Sequence, residues 1–295
     1  MRMKTVVDKV RVVYRIDGLR GVIAKAAGAP IAQASARRDF RRYSEWYANH
    51  LIFVAGLPKS GSTWLASMLA SLPGFVDRTP SVWAASMLTD FSQDLSDDIF
   101  AEFRRQLVVV KGHTRGTEDN VAVLDRLGAP YLVLLRDPRD QLISSYWYLR
   151  NRPKHRRHHL VAGRTLDEYI KTRLVDGSFD DQILAWIRLW AHNRSELALI
   201  ARYEDLVDSP AEGLQSIFRH LGFSVAASSV GEIVERHSFR NTTGRLPGDE
   251  DVSAFARKGQ PGEWEEVFGV EERELFARIG EDVIESGGWK PTQEM

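Results

Sequence analysis

The 295-residue chain contains no cysteine, and this absence removes several kinds of site at once. It excludes disulfide bonds, metal sites built on cysteine and a thiol nucleophile. A chain of this length can bury a sizeable core without cross-links, so the absence does not fix the cellular compartment.

Long apolar runs are also missing from the sequence. No run reaches the roughly 18 to 20 residues that a membrane-spanning helix needs. The first residues do not combine a basic region with an apolar core of about 7–15 residues, as a secretory signal does. Between Val6 and Ile16, apolar residues are instead interrupted by charged ones such as Asp8 and Lys9. We therefore expect a cytoplasmic protein.

Net charge of either sign is absent as well, because 40 basic residues balance 40 acidic ones. Total charge thus identifies no partner, and we expect no nucleic acid among the partners. Residues 1–45 nevertheless contain eleven Lys or Arg and four Asp or Glu. We interpret residues 1–48 as a basic N-terminal helical segment and residues 49–295 as the main domain. The segment is either a solvated helix beside the domain or a peripheral contact with anionic lipid.

Four short apolar runs are typical of buried parallel strands. They are Leu51–Ala55, Leu107–Val110, Tyr131–Leu135 and Leu197–Ile200. Helical patterns lie at about 64–72, Pro138–Arg150, Asp180–Arg194, Ala211–Leu221 and Glu271–Glu285. This alternation predicts a three-layer α/β fold, in which helices flank a mostly parallel sheet. The carboxyl ends of the strands then share one edge, where a ligand would bind.

The turn from Gly56 to Thr63 has the composition of an anion-binding loop. Backbone N–H groups of a glycine-containing turn and a helix N-terminus direct donors to one point, and Lys59 adds a positive charge. Gly56 and Gly61 have the spacing of the ATP and GTP loop, G-x-x-x-x-G-K-[ST], but Ser62 replaces its lysine. The turn therefore predicts a site for a 5'-phosphate without a polyphosphate tail, and an ordinary turn is the alternative.

Five short motifs follow one another along the chain. They are PKSGSTWL at Pro58–Leu65, KGH at Lys111–His113, RDPRDQLIS at Arg136–Ser144, YED at Tyr203–Asp205 and RKGQPGEW at Arg257–Trp264. In sequence and order they resemble the cytosolic-type sulfotransferases that use 3'-phosphoadenosine 5'-phosphosulfate (PAPS). The resemblance implies a P-loop NTPase-like fold. It also implies that a sulfuryl group moves from PAPS to a hydroxyl or amine, leaving adenosine 3',5'-bisphosphate (PAP).

The same resemblance implies which residues bind the donor. It assigns the 5'-phosphosulfate to Lys59, Ser60, Gly61, Ser62 and Thr63. It assigns the 3'-phosphate to Arg136, Ser144, Arg257, Lys258 and Gly259. It assigns the adenine to Trp64, Tyr203 and Phe239. Phe239 follows His237 and Ser238, where the family commonly has T-S-F, and packing in the core is an equal alternative for this ring.

Three residues are implied in catalysis. His113 would be the general base, a role that suits a neutral imidazole at pH 7. Lys59 would stabilise the leaving phosphate, and Lys111 would help to hold the sulfuryl oxygens. We expect no metal, because Lys59 and the loop amides would hold the leaving group. The alternatives are a small-molecule kinase with a P-loop and a non-catalytic protein that binds PAP.

Acceptor specificity is expected from the segments between the motifs. These are Phe75–Leu95, residues 145–164 and Asn241–Ala256. The second contains the basic run Lys154–His159, which is either a solvated loop or a contact for an acceptor that carries phosphate or carboxylate. The acceptor stays open among small molecules, glycans and lipids, and the oligomeric state is not predicted.

Overall fold

The computed structural model describes residues 34–86 and 93–292. Its five strands are β1 (Leu51–Gly56), β2 (Phe75–Arg78), β3 (Leu107–Gly112), β4 (Tyr131–Leu135) and β5 (Ala198–Arg202). They form one sheet in the order β2-β3-β1-β4-β5, and every neighbouring pair is parallel. The predicted α/β fold with a parallel sheet is confirmed.

Helices connect the strands and cover the sheet. They are α1 (34–43), α2 (Ser62–Leu69), α3 (Ser81–Ser86), α4 (Glu118–Leu127), α5 (Pro138–Arg150), α6 (Leu166–Val175), α7 (Ala185–Ala191), α8 (Tyr203–Asp208), α9 (Pro210–His220), α10 (Ala227–Arg236), α11 (Phe239–Thr243), α12 (Trp264–Val267) and α13 (Val270–Gly287). Short 3-10 turns lie at Ser44–Trp46, Ala101–Phe103 and His158–Leu160, and a π turn at Asp180–Leu184 leads into α7.

The central strands are apolar throughout because both faces of the sheet are covered. Alternate side chains of β1 point to opposite faces. Phe53 and Ala55 therefore join one core, whereas Ile52 and Val54 join the other. β4 lies where the sequence predicts it, whereas β1 and β3 begin at the predicted residues and extend one and two residues further, to Gly56 and Gly112.

Elsewhere the element boundaries differ from the sequence prediction. β5 ends at Arg202 rather than Ile200, and the helix expected over 180–194 begins as a π turn and ends at Ala191. β2 was not expected, because it is an edge strand in which Phe75 alone is fully buried. α6 was also not expected.

The described part of the N-terminal segment packs on the domain. The ring of Tyr47 lies 4.9 Å from the ring of Phe75 and 5.0 Å from that of Phe223. Residues 1–33, which carry much of the basic charge, lie outside the described residues. In the part of the chain that is described, no helix has both the length and the apolar character to cross a membrane.

The sheet brings four of the five motifs to one edge. Loops that leave the carboxyl ends of β1, β4 and β5 begin the segments Pro58–Leu65, Arg136–Ser144 and Tyr203–Asp205, and Lys111–His113 overlaps the end of β3. Ligands of parallel sheets bind at this edge.

A buried ion pair fixes the start of α5. The guanidinium of Arg139 is fully buried and donates to both carboxylate oxygens of Asp137, at 2.9 and 2.7 Å. It also donates to the hydroxyl of Thr292 at 3.0 Å and to the carbonyl of Lys290 at 2.8 Å, and it lies 3.5 Å from the ring centroid of Trp264. This arginine therefore joins the edge of the sheet to the C-terminal part of the chain.

Asp137→Asn should lower the free energy of unfolding by about 3–5 kcal/mol, because it leaves the charge of Arg139 buried without its counter-ion. Asparagine keeps the helix-capping oxygen, so the loss reports the charge. Urea unfolding measures it. Asp97→Asn is the control, since it breaks the exposed pair with Arg126 and should cost less than about 1 kcal/mol. Equal losses in the two variants would show that the buried pair has no special role.

Candidate active site

The turn between β1 and α2 is tightly constrained. Ser60 donates to the carbonyl of Leu57 through its backbone N–H at 3.1 Å and through its hydroxyl at 2.8 Å. Lys59 and Gly61 both have positive φ angles, 70° and 87°. A Cβ atom on Gly61 would lie 2.6 Å from the ring of Tyr203, so glycine is required there for its conformation and for space.

The first turn of α5 holds this turn in place. The side-chain amide of Gln141 donates to the carbonyl of Pro58 at 2.8 Å, and Nη1 of Arg136 donates to the carbonyl of Lys59 at 2.7 Å. Gln141 of α5 and Arg136, two residues before that helix, thereby bind two carbonyls of the turn, which fixes the turn relative to the sheet.

Arg136 also joins the turn to an aromatic group. Its guanidinium carbon lies 4.7 Å from the ring centroid of Tyr203. The ring of Trp64 lies 6.1 Å from that of Tyr203, and its Nε1–H donates to the carbonyl of His237 at 2.8 Å. The Nε of Arg136 is buried and has no hydrogen-bond partner in the described chain. A buried charged donor without a partner is typical of an anion site.

Asp140 attaches the C-terminal motif to α5. Its carboxylate accepts from the backbone N–H groups of Gly262 at 2.6 Å and Trp264 at 3.0 Å. Burial raises the pKa of this carboxyl, against the charge of Arg136 and the two hydrogen bonds. Within the motif, Gly259 has a φ of 69°, and a Cβ there would lie 2.3 Å from the ring of Phe239. Phe239 therefore packs directly on the backbone of residue 259.

The remaining residues expected at the 3'-phosphate have other partners or none. The Arg257 side chain is 9% exposed and pairs with both Glu250 and Glu263. Lys258 lies 3.6 Å from a carboxylate oxygen of Glu266. Ser144 is half-buried in α5, and no hydrogen bond of its side chain is found in the described chain. A phosphate would have to compete with two carboxylates for Arg257.

The ammonium group of Lys59 lies between two aromatic rings. It is 4.0 Å from the ring centroid of Phe255 and 4.8 Å from that of Tyr148, and it donates to the carbonyl of Phe255 at 3.2 Å. Burial, and to a smaller extent the positive charges of Arg136, Arg152 and Arg257, together lower the pKa of Lys59 to about 7. The group is thus close to its titration point at neutral pH.

His113 is held in one tautomer. Its Nδ1 lies 2.5 Å from the carbonyl oxygen of Gly56, and because a carbonyl accepts only, Nδ1 carries the proton. Nε2 then has a lone pair, and it has no hydrogen-bond partner among the described residues. Burial lowers the pKa of this imidazole, as does Lys111, while the bond to Gly56 opposes them. The backbone N–H of His113 donates to the side chain of Gln93 at 2.6 Å. The imidazole is therefore neutral at pH 7, with Nε2 able to accept a proton.

Lys111 differs from Lys59, because its charge has a partner. Its Nζ lies 2.9 Å from a carboxylate oxygen of Asp77 on β2. A role in holding sulfuryl oxygens stays a prediction for this residue.

One cavity of about 320 Å³ brings the three residues implied in catalysis together. Lys59, Lys111 and His113 all line it. All three segments expected to set acceptor specificity contribute to its wall. They do so through Gln93, through Ser145, Tyr148, Leu149, His155, Arg157 and Leu160, and through Phe255.

Several residues of the site were not singled out from the sequence. Asp140 and Gln141 lie inside a recognised motif, but only the fold shows which loops they bind. Gln93 and Arg173 carry no sequence signal, and both line the cavity. Within the described residues, no cluster of three or more His, Asp or Glu side chains is arranged to hold a metal ion.

A sulfotransferase domain family model matches residues 50–288. The chain belongs to the sulfotransferase family. It is 27% identical to human sulfotransferase 1C2 over 163 residues, which cover 50% of this chain and 52% of that protein. It is 24% identical to human sulfotransferase 2B1 over 255 residues, which cover 77% of this chain and 64% of that protein. Both matches therefore span less than two thirds of the relative's own length.

A solved structure extends this likeness to the fold. Mouse sulfotransferase SULT7A1, crystallised in complex with PAP, superposes with a TM-score of 0.60 at 19% identity. The superposition covers 85% of this chain and 90% of that one. At this identity the likeness shows a shared fold, which agrees with the P-loop NTPase-like fold expected from the sequence.

The pKa of Lys59 is directly measurable. In the protein labelled with 13C at lysine Cε, one lysine signal should titrate near pH 7, and it should be missing in Lys59→Gln. Arg152→Gln removes one nearby positive charge and should raise this pKa, whereas Arg126→Gln, on a distant exposed surface, should not. The unfolded chain binds a proton that folded Lys59 lacks, so the free energy of unfolding should rise between about pH 7 and 10 relative to Lys59→Gln. Titration of every lysine signal above pH 9 would contradict the assignment.

Proposed function

We propose that this protein transfers a sulfuryl group from PAPS to a hydroxyl or amine of an acceptor and releases PAP. The observation that carries the proposal is the single cavity lined by Lys59 and by His113, whose Nε2 can accept a proton. The PAP bound to mouse SULT7A1 supports the choice of donor. Membership of the sulfotransferase family favours sulfuryl transfer over the kinase alternative.

The residues present fit such a donor. The buried Nε of Arg136 lacks a partner within the described chain, and the turn from Pro58 to Thr63 has the amides and hydroxyls that bind a 5'-phosphate. Lys59 donates to a neutral carbonyl, and an anionic oxygen is a stronger acceptor. The group packed around Trp64 and Tyr203 offers aromatic faces to adenine.

The acceptor's proton has a defined destination. As the acceptor oxygen or nitrogen forms its bond to sulfur, Nε2 of His113 takes the proton. The Nδ1–H bond to Gly56 holds the ring in place and stabilises the imidazolium that results. The S–O bond to the 5'-phosphate breaks in the same step, and its electron pair stays on the phosphate oxygen. PAPS supplies the sulfuryl group and the leaving phosphate.

Lys59 stabilises the charge that develops on this phosphate oxygen. The anionic phosphate restores the protonated form of the lysine, because an opposite charge raises a lysine pKa. The positive charge is then present when the leaving oxygen becomes negative. Such an interaction is stronger in the transition state than in the ground state, which is the condition for catalysis.

PAP should stabilise the purified protein. At 100 times its dissociation constant it should add about 2.7 kcal/mol to the free energy of unfolding. Adenosine 5'-monophosphate at the same concentration should add less, because it lacks the 3'-phosphate and should bind more weakly. Thermal unfolding with PAP, with the monophosphate and with ATP plus magnesium makes the comparison. A shift with ATP and magnesium alone would support the kinase alternative instead.

Arg257→Gln is the matched variant for the 3'-phosphate in the same experiment. It should reduce the stabilisation by PAP and leave that by the monophosphate unchanged. Equal reduction for both nucleotides would remove Arg257 from the 3'-phosphate site.

His113→Gln should lower turnover by about 100-fold or more, because glutamine cannot take a proton, while PAP binds as before. Release of PAP from PAPS, followed with an acceptor found by screening, measures the loss. His192→Gln, at the end of α7, is the control. Near-wild-type turnover in His113→Gln would remove the residue as the base. Binding of PAP without transfer to any acceptor by the wild type would favour the non-catalytic alternative.

A further inference from the structure

The described wall of the cavity contains positive charge and no carboxylate. Lys59, Lys111, Arg157 and Arg173 line it, and no Asp or Glu of the described chain does. Two of these charges are accounted for, because Lys59 lies in the proposed donor site and Lys111 pairs with Asp77. Arg173 remains to be explained.

Arg173 is the informative residue of the two arginines. It belongs to α6, and its side chain is buried, with 5% of the residue exposed. Its guanidinium donates to the hydroxyl of Ser178, to the carbonyl of Ser178 at 3.4 Å and to the side-chain oxygen of Gln182 at 3.4 Å. These acceptors are neutral, and the hydroxyl of Ser178 in turn donates to the carboxylate of Asp176. No carboxylate of the described residues lies within ion-pair distance of Arg173, and its Nε is buried without any partner.

A buried guanidinium in this state is costly, since burial of a charge is tolerated when a counter-ion or a full set of hydrogen bonds accompanies it. Arg173 lies at the wall of a cavity rather than in the closed core. A buried polar group without a partner calls for an explanation, and a ligand that supplies the missing partner is one.

A second guanidinium points to the same place. Arg157 also lines the cavity and donates to the same side-chain oxygen of Gln182. The two guanidinium groups therefore lie close together at one side-chain oxygen. Both also act on Tyr169 of the cavity wall: burial raises the pKa of this phenol, and the two arginines lower it. An anion at this position would interact with both arginines in a medium of low dielectric constant, where the attraction is strong.

One part of the cavity wall is apolar and suits an apolar body. Leu142, Leu149, Leu160, Phe179 and Ile183 line it together with His113. A volume of about 320 Å³ is that of a small-molecule site.

We propose that Arg173, together with Arg157, binds an anionic group of the acceptor, so that the acceptor is a small, partly apolar hydroxylated acid. The inference rests on the proposed function and adds to it the substrate class. The shared chemistry is a carboxylate or a tetrahedral oxyanion. Guanidinium groups bind both through paired N–H donors.

Calorimetry on the PAP-saturated protein tests this. The probes are 4-hydroxyphenylacetate, its methyl ester and 4-hydroxyphenylmethanesulfonate. The ester keeps the ring and the phenol and lacks the charge. At least one acid should bind about tenfold or more tightly than the ester, since hydrogen bonds to charged groups contribute on that scale. The acid that binds better distinguishes a planar carboxylate from a tetrahedral oxyanion.

Substitutions assign the effect to the arginine. Arg173→Gln should remove the preference for acid over ester, and Arg173→Lys should keep part of it. Arg126→Gln, which breaks an exposed ion pair elsewhere, should leave the preference unchanged. The comparison of acid and ester in the wild type needs no variant, so it stands even if Arg173→Gln does not fold.

Equal binding of acids and ester by the wild type would overturn the inference. So would the absence of binding by either acid up to about 10 mM, the range of very weak complexes. The stabilisation by PAP, measured on the same samples, separates the two proposals. If PAP stabilises the protein and the acids show no preference, the substrate class is wrong and the proposed function stands. If PAP has no effect, the proposed function fails, and the acids are compared without it.

Discussion

Buried polar side chains in and just before the first turn of α5 hold two loops that lie far apart in sequence. Arg136 and Gln141 bind carbonyls of the turn after β1, and Asp140 binds backbone N–H groups of the C-terminal motif. The Arg139 guanidinium pairs with Asp137 at the start of the helix and also binds Lys290 and Thr292. Each contact satisfies a backbone or charged group that burial would otherwise leave without a partner. The geometry of the proposed donor site therefore depends on this helix start and the two residues before it, although few of these atoms would touch a nucleotide.

The same arrangement produces the electrostatics of the site. Arg136 is brought to the turn by its bond to the carbonyl of Lys59, and its charge then lies close enough to lower the pKa of that lysine. Burial contributes more, and Arg152 and Arg257 add to it. A site that accumulates positive charge before its ligand arrives destabilises its own cations. An anionic ligand removes this repulsion between the cations, and the removal adds to the free energy of binding.

The sequence was sufficient for features that depend on local pattern. Continuous apolar runs located β1, β3 and β4, because a strand that is buried on both faces has apolar residues at every position. The turn containing Lys59 could be recognised from its glycines and its lysine. Contacts that depend on the fold could not be found in this way. Gln93 reaches the backbone of His113 from another segment, and Arg173 is an ordinary charged residue until α6 places it at the cavity.

Arg257 and Arg173 differ in whether a carboxylate of the described chain neutralises their charge. The carboxylates of Glu250 and Glu263 neutralise Arg257, so a phosphate bound there as proposed would have to displace existing partners. Arg173 has neutral acceptors alone among the described residues, so an anion there would displace no counter-ion. A group that displaces nothing gains the whole electrostatic interaction, whereas exchange of one anion for another gains the difference. If an acceptor binds as proposed, its charge is therefore discriminated more strongly at Arg173 than at an ion-paired cation such as Lys111.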